Sequence, residues 1–298
     1  MVTRGEAAPV AKGGGTEKYK DAALVIAVSS VQGLEMASKV IEQRSFAEET
    51  CKKIFGADKP PFLETEHLLL YGTVSGKSLK DVGAVLEKQL ALARRILDLE
   101  KDEPWPGKLT VYFFTERSRF TSFIRNVEKR RPEAEDLGSF NIRTEFPHAA
   151  GGPPKEEDDP SNEVQAAQQM ASALLVKKAG TNVPEWLVAG FGRATYYRAA
   201  SVSALSAEKR RAARLLQSAS AMDVWNGTLK ADRAAVLRGS LVDFLAFGPG
   251  KTRFLAFLAA YAPEEGKLTK TAEEALKAAR MDAKVVSSRW KSWVRSGK

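Results

Sequence analysis

The sequence predicts an α+β protein, a small mixed β-sheet subdomain followed by a mostly α-helical subdomain. Three observations carry this. Runs rich in β-branched and aromatic residues lie near 64–72, 108–114 and 138–146, all in the first half. From Asn162 onward apolar residues recur almost wholly at steps of three and four, the period of an amphipathic helix. The chain has 298 residues, of which 44% are hydrophobic and 28% charged, as in an ordinary globular protein and unlike a disordered chain.

The elements follow in order. Residues 1–20 are rich in Gly, Ala and Lys and include Gly13-Gly14-Gly15, the composition of a tail. Residues 33–56 carry Leu34, Val40, Ile41, Phe46, Cys51 and Ile54 at helical spacing, and Pro60-Pro61 stops that helix. Glu64 to Gly72 reads as one strand closed by glycine. Ser78, with Asp81 three residues on, is the N-cap of a long helix to about Lys101, lined by Leu79, Val82, Leu86, Leu90, Ala93 and Leu97. Lys108 to Phe114 is a buried strand, and 118–130 a short helix with Phe120, Phe123, Ile124 and Val127 on one side. Residues 138–146 alternate as an extended segment. Pro147 to Pro160, with an acidic run at 156–159, reads as a loop. Helices are then expected at about 163–178, 185–200, 207–218, 231–246, 250–260, 270–279 and 282–295. The boundaries are 1–58 for a tail and helix, 59–160 for the sheet-containing part and 161–298 for the helical part, the last two forming one domain.

Composition narrows the function classes. No apolar run approaches the ~20 residues that span a bilayer, and the candidate Ala22–Val28 is far too short. No segment has the form of a signal peptide, so the chain reads as soluble. A single cysteine, Cys51, allows neither an intrachain disulfide nor a cysteine metal cage. The net charge is +9, and Lys209 to Lys298 alone holds 18 Lys plus Arg against 8 Asp plus Glu. The bases sit at helical spacing with few interleaved aromatics, the pattern of solvated helix faces, so nucleic acid is not the expected partner.

The chemically informative stretch is Gln168-Gln169-Met170-Ala171-Ser172-Ala173-Leu174-Leu175, followed by Val183-Pro184-Glu185-Trp186-Leu187-Val188-Ala189-Gly190-Phe191-Gly192. A zinc hydrolase needs two histidines one helical turn apart and a carboxylate beside the first. In this frame the two histidine positions hold Gln168 and Ser172, and the general-base position holds Gln169. An amide does not titrate near neutrality, and a neutral amide and hydroxyl are poor zinc donors. With its W-L-x-x-G continuation and the later Gly239 to Leu245, Phe254 to Leu258 and Trp290 to Val294 segments, the chain over roughly 62–298 resembles a gluzincin-type peptidase domain of the thermolysin-like clan. It is similar to the peptidase-like proteins of uncharacterised bacterial families. The resemblance implies a sheet whose edge strand binds extended peptide, packed on a helical half, with zinc between them. It also places the third ligand at Ala189, which has no donor atom. The frame is kept and its chemistry is replaced.

The expected protein is therefore a catalytically inactive peptidase-like binding or scaffolding module. It is expected to hold no cofactor or metal and to have no catalytic residue, and its degenerate positions are Gln168, Gln169, Ser172 and Ala189. Its partner would be an extended peptide or protein segment. Of the two histidines, His67 reads as a packed or surface residue and His148 as a possible groove residue before the site helix. One alternative is a hydrolase with a site rebuilt near His148, although no G-x-S-x-G elbow is present. The other is a binder of anionic surfaces or nucleic acid through the basic C-terminal helices. Glu163 and Glu185 are expected at helix N-termini, where a carboxylate meets the positive end of the helix dipole. Gly248-Pro249-Gly250-Lys251-Thr252 lacks the full phosphate-loop pattern and reads as a break between helices.

Overall fold

A computed structural model describes residues 16–99, 105, 107–157, 159–263 and 268–296, with backbone alone for 16–34, 231 and 232. Among the described residues it is a mixed α+β fold of five strands and eleven helices. The N-terminal helix α1 spans Thr16–Phe55, starting well before the expected residue 33. Of the expected tail at 1–20, residues 16–20 belong to α1, and 1–15 lie outside the described residues. Residues 64–72, expected to form one strand, are instead two: β1 (Phe62–Glu64) and β2 (Leu68–Gly72) pair antiparallel. The turn between them is fixed from a distance. Glu87 Oε1 accepts from Thr65 Oγ1 at 2.5 Å and from the His67 amide at 2.8 Å, and Lys108 Nζ donates to the Thr65 carbonyl at 2.5 Å.

Helix α2 (Leu79–Ile96) begins as its sequence dictates, with Ser78 Oγ accepting from the Asp81 amide at 3.1 Å. Strand β3 (Leu109–Phe113) pairs parallel to β2, and α3 (Arg117–Asn126) follows it. Strand β4 (Gly138–Asn141) occupies only the first part of the extended segment expected at 138–146, and 143–146 bend. The region expected to be a loop then yields a further strand, β5 (His148–Gly151), parallel to β3 and antiparallel to β4. The sheet order is β1-β2-β3-β5-β4, so β1 and β4 are its edges.

The small residues of β5 have a packing reason. A Cβ on Gly151 would lie 1.9 Å from the carbonyl oxygen of Asn162, the first residue of α4 (Asn162–Ala179). Helix and strand touch there backbone to backbone, which only glycine permits. Asn162 is fully buried, and its side-chain amide donates to the carbonyls of Thr73 at 2.7 Å and Phe114 at 3.2 Å. These bonds pin the start of α4 to the chain leaving β2 and β3.

The remaining helices are α5 (Glu185–Ala200), α6 (Val202–Leu215), α7 (Ala221–Trp225), α8 (Ala231–Ala246), α9 (Lys251–Ala259), α10 (Ala272–Ala278) and α11 (Ala283–Arg295). Helix α7 was not expected; a reciprocal capping box between Ser220 and Asp223 starts it. Two cores flank the sheet. On one face Leu68, Leu70, Val111, Phe113 and Ala149 meet α2 and α4, and that core continues through α5 and α8 to Trp290. On the other face Leu69, Tyr71, Tyr112, Phe114 and Ala150 meet Ala47 and Cys51 of α1 and Phe120, Phe123 and Ile124 of α3. Helix α1 is thus a layer of the sheet-containing part. None of the described helices is long and apolar enough to cross a membrane.

Candidate functional site

The frame positions lie where α4 and α5 cross. Ser172, 2% exposed, donates its hydroxyl to the Val188 carbonyl of α5 at 3.0 Å. A Cβ on Gly192 would lie 2.4 Å from the Gln168 carbonyl oxygen and 2.7 Å from Ser172 Oγ. Two residues earlier, Gly190 makes an equally close approach to Arg238 of α8, on the opposite side of α5. The Gly-Phe-Gly segment therefore lets one helix sit tightly between two others, while Phe191 fills the core against Phe254 at 6.1 Å.

The crossing carries a buried polar seam. Gln89 of α2 donates to Thr195 Oγ1 at 3.0 Å, and Thr195 donates back along its own helix to the Phe191 carbonyl at 2.8 Å. Gln89 Oε1, Gln168 Nε2 and Glu163 Oε2 are buried without a hydrogen-bond partner among the described residues. An unmade bond of that kind costs about 1–3 kcal/mol. Gln169 is half-buried and turns toward edge strand β4; its Cγ lies 2.8 Å from where a Cβ on Gly138 would be. Ala189 is exposed. Gln168, Ser172 and Gln169 are thus gathered at one crossing beneath the β4–β5 edge of the sheet. Ala189 sits at its rim, next to Val188.

These residues do not fit a zinc ion. The Ser172 hydroxyl is spent on a backbone carbonyl, Gln168 and Gln169 supply only neutral amides, and Ala189 supplies nothing. Among the described residues no group of three or more His, Cys, Asp or Glu is placed to hold a metal ion.

His148, which the sequence offers as a possible groove residue, faces the other side of the sheet. Side chains alternate along β5: Ala149 faces α4, while His148 and Ala150 face the α1–α3 side. The His148 ring meets Phe123 edge-on at 5.3 Å, and its two nitrogens face the Phe146 carbonyl at 3.3 Å and Glu128 Oε1 at 3.4 Å. Glu128 also takes Ser139 Oγ at 2.7 Å and Arg130 Nε at 2.9 Å, and Arg130 reaches Asp136 at 2.8 Å. Burial alone would push the Glu128 carboxyl up, but the bonds from His148, Ser139 and Arg130 outweigh it and hold the group below its usual range. Both ring nitrogens are engaged and the histidine is buried, so it offers no base to a substrate.

His67 lies at the β1–β2 turn, its ring 2.9 Å from Glu87, where sequence reasoning expected a packed or surface residue. Glu185 stands in the first turn of α5, after Pro184 as N-cap, and pairs with Arg238 at 3.1 Å. Sequence reasoning missed two partly buried ion pairs made by α5. Arg193 grips Glu208 through two bonds of 2.6 and 3.1 Å, and Arg198 grips Asp243 through two of 2.5 and 3.1 Å. A signal was present, since Arg193 and Arg198 stand in an otherwise apolar helix. Compared with known proteins, the chain matches no family model and no curated sequence.

Proposed function

We propose that this protein is a gluzincin-like domain that lacks the zinc site and acts as a binding or scaffolding module for an extended peptide or protein segment. The observation that carries the reading is the α4–α5 crossing. The four positions that a metallopeptidase would use hold Gln168, Gln169, Ser172 and Ala189, and a serine-to-carbonyl bond and a glycine contact fill its interior. Above it β4 is an edge strand, short and antiparallel, with its outer backbone groups available for pairing. A segment added there would pass over Gln169 and Gly138 and gain main-chain hydrogen bonds without meeting a nucleophile or a general base. The hydrolase reading has no support from His148, which lies on the opposite sheet face with both nitrogens engaged.

Two measurements test the proposal. Hydrogen exchange on the full chain, with and without peptides selected from a random library, should show added protection at 138–141; protection confined to other segments defeats the binding mode. Elemental mass spectrometry of purified protein should find zinc far below one equivalent. Stoichiometric zinc that disappears on changing residues 168–189 refutes the loss of the site.

A further inference from the structure

Two helices of the C-terminal half carry charge that the fold leaves uncompensated. Helix α6 has four bases and one acid, and α11 has four bases and no acid. The acid of α6, Glu208, is taken by Arg193. The acids that flank these helices in sequence are engaged locally. Asp282 caps α11 by accepting from the Val285 amide at 2.9 Å, and Asp223 closes the capping box of α7. Among the described residues, Arg210, Arg211 and Arg214 of α6 and Lys284, Arg289 and Arg295 of α11 make no ion pair. Helix energetics explain only part of this. Arg214 and Arg295 stand in last turns, where a cation meets the negative end of the helix dipole. Lys284 stands in the first turn of α11, where the dipole disfavours it, and Arg210 and Arg214 repel each other one turn apart.

The two helices are neighbours with a common support. They meet where Lys209 Nζ lies 5.2 Å over the Trp293 ring. Both rest on α8. Trp290 of α11 donates its indole N–H to Ser240 at 3.2 Å and Trp293 meets Phe244 at 5.8 Å, while Leu205 and Ala212 of α6 face Gly239 and Ser240 around a small cavity. Arg210, Arg214, Lys284, Arg289 and Arg295 are exposed. Apolar side chains stand among them. Val285 is 47% exposed and shares a row of α11 with Arg289 and Ser292. Met222 of α7 is 47% exposed too, and α7 is fastened to α11 where the Ala221 amide donates to Ser287 Oγ at 3.4 Å. The aromatic rings of α11 are withdrawn, Trp290 buried and Trp293 under Lys209, so the bases of a nucleic acid have no ring there to stack on.

We infer that the outer face of α6 and α11 docks on an anionic lipid bilayer. The arginines and Lys284 meet headgroup phosphates and carboxylates, and Val285 enters the boundary with the acyl chains. Charge complementarity selects an anionic partner, and a bilayer, unlike a nucleic acid, also takes up the exposed apolar side chains. This face involves none of the residues of the proposed peptide edge on β4.

Sedimentation of the full chain with vesicles tests this, using phosphatidylcholine alone and phosphatidylcholine mixed with about one-third phosphatidylserine. Binding should require the serine lipid and weaken as salt rises. Arg210→Gln with Arg289→Gln should lower affinity roughly tenfold or more, since each base near an anionic surface contributes about a fivefold factor. Both residues are exposed and unpaired, so the melting temperature should hold. The same charge removed from the sheet-containing part, by Lys77→Gln with Lys80→Gln, should change affinity by no more than about threefold. Val285→Ser should weaken vesicle binding roughly threefold to tenfold. Binding that ignores the serine lipid, a double arginine variant as tight as the parent, an equal loss in the Lys77 and Lys80 pair, or full affinity in Val285→Ser overturns the inference. A DNA duplex held more tightly than the anionic vesicles, and released by the same double arginine substitution, would give the face to nucleic acid and overturn it as well.

Discussion

Gly192→Ala is the sharpest probe of the α4–α5 crossing. The added Cβ would sit 2.4 Å from the Gln168 carbonyl oxygen, and ordinary contact begins near 3.4 Å, so the two helices would have to part by about 1 Å. The opposing atom is backbone, and it cannot swing away as a side-chain end would. Overpacking of this kind costs about 1–3 kcal/mol. Against it stands the higher helix propensity of alanine, about 1 kcal/mol at a helix interior. The contact is well inside the van der Waals limit and held on both flanks, so the net should be a loss of about 1–2 kcal/mol. That corresponds to roughly 2–8 °C in Tm for a chain of this size. Calorimetry and urea unfolding read it directly. Ala189→Glu, three residues away but exposed, is the control and should stay within about 0.5 kcal/mol. Adding Ser172→Ala removes one of the two contacts, Oγ at 2.7 Å, and leaves the carbonyl, so rescue should be partial. A Gly192→Ala protein as stable as the parent, or one fully rescued by Ser172→Ala, would mean that the helices are not packed as described.

Further outcomes follow from the same contacts. Ser172→His should destabilise by about 1–3 kcal/mol, because a larger ring must enter a site that is 2% exposed; thermal unfolding checks this. Glu128 is ionised more easily in the folded chain than its ordinary value of 4.5. Its contribution is therefore complete above that value and is lost as pH falls through the lowered folded value, so Glu128→Gln should flatten the acid limb of a stability-against-pH curve. Arg193→Met should cost about 3–5 kcal/mol by leaving Glu208 buried and unpaired, and Arg193→Met with Glu208→Leu should recover most of it; chemical denaturation of the pair measures both.

What the sequence reveals is what local patterning controls. The limits of α5 and α8 match expectation because Pro184 and the apolar period act over a few residues. Strand β5 is invisible locally. His148-Ala149-Ala150-Gly151 has no β-branched residue, and its extended form comes from β3 and β4 on either side and from α4 pressing on Gly151. Missing that strand also hid which way His148 turns, since face follows from alternation once a strand is known. The β1–β2 hairpin reads as one strand because the residue that sets its turn, Glu87, is remote in sequence. Helix α7 had a readable sign in Ser220 and Asp223, but five residues carry too little periodicity to stand out. Residues 168, 169, 172 and 189 could be singled out by their spacing. That Ala189 would be exposed while Ser172 is sealed could not, because both depend on how close two helices come.

That closeness separates two properties that an active peptidase combines. In the proposed reading, peptide is held by backbone pairing at the sheet edge, and this asks of the chain only a strand with free N–H and C=O groups and a floor that does not clash. Hydrolysis asks for ionisable groups aimed upward from α4 and α5. Here the small polar groups of those helices are engaged inside the fold: Ser172 of α4 with Val188 of α5, and Thr195 of α5 with Gln89 of α2. The edge and the crossing meet at Gln169 against Gly138. The two can therefore be perturbed apart. Gly192→Ala should lower stability with little effect on a bound segment's affinity, whereas Gly138→Val, which pushes Gln169 off the strand, should weaken binding more than it weakens the fold. Loss of affinity in Gly192→Ala that exceeds the loss in Gly138→Val would place the binding surface at the crossing and not at the edge.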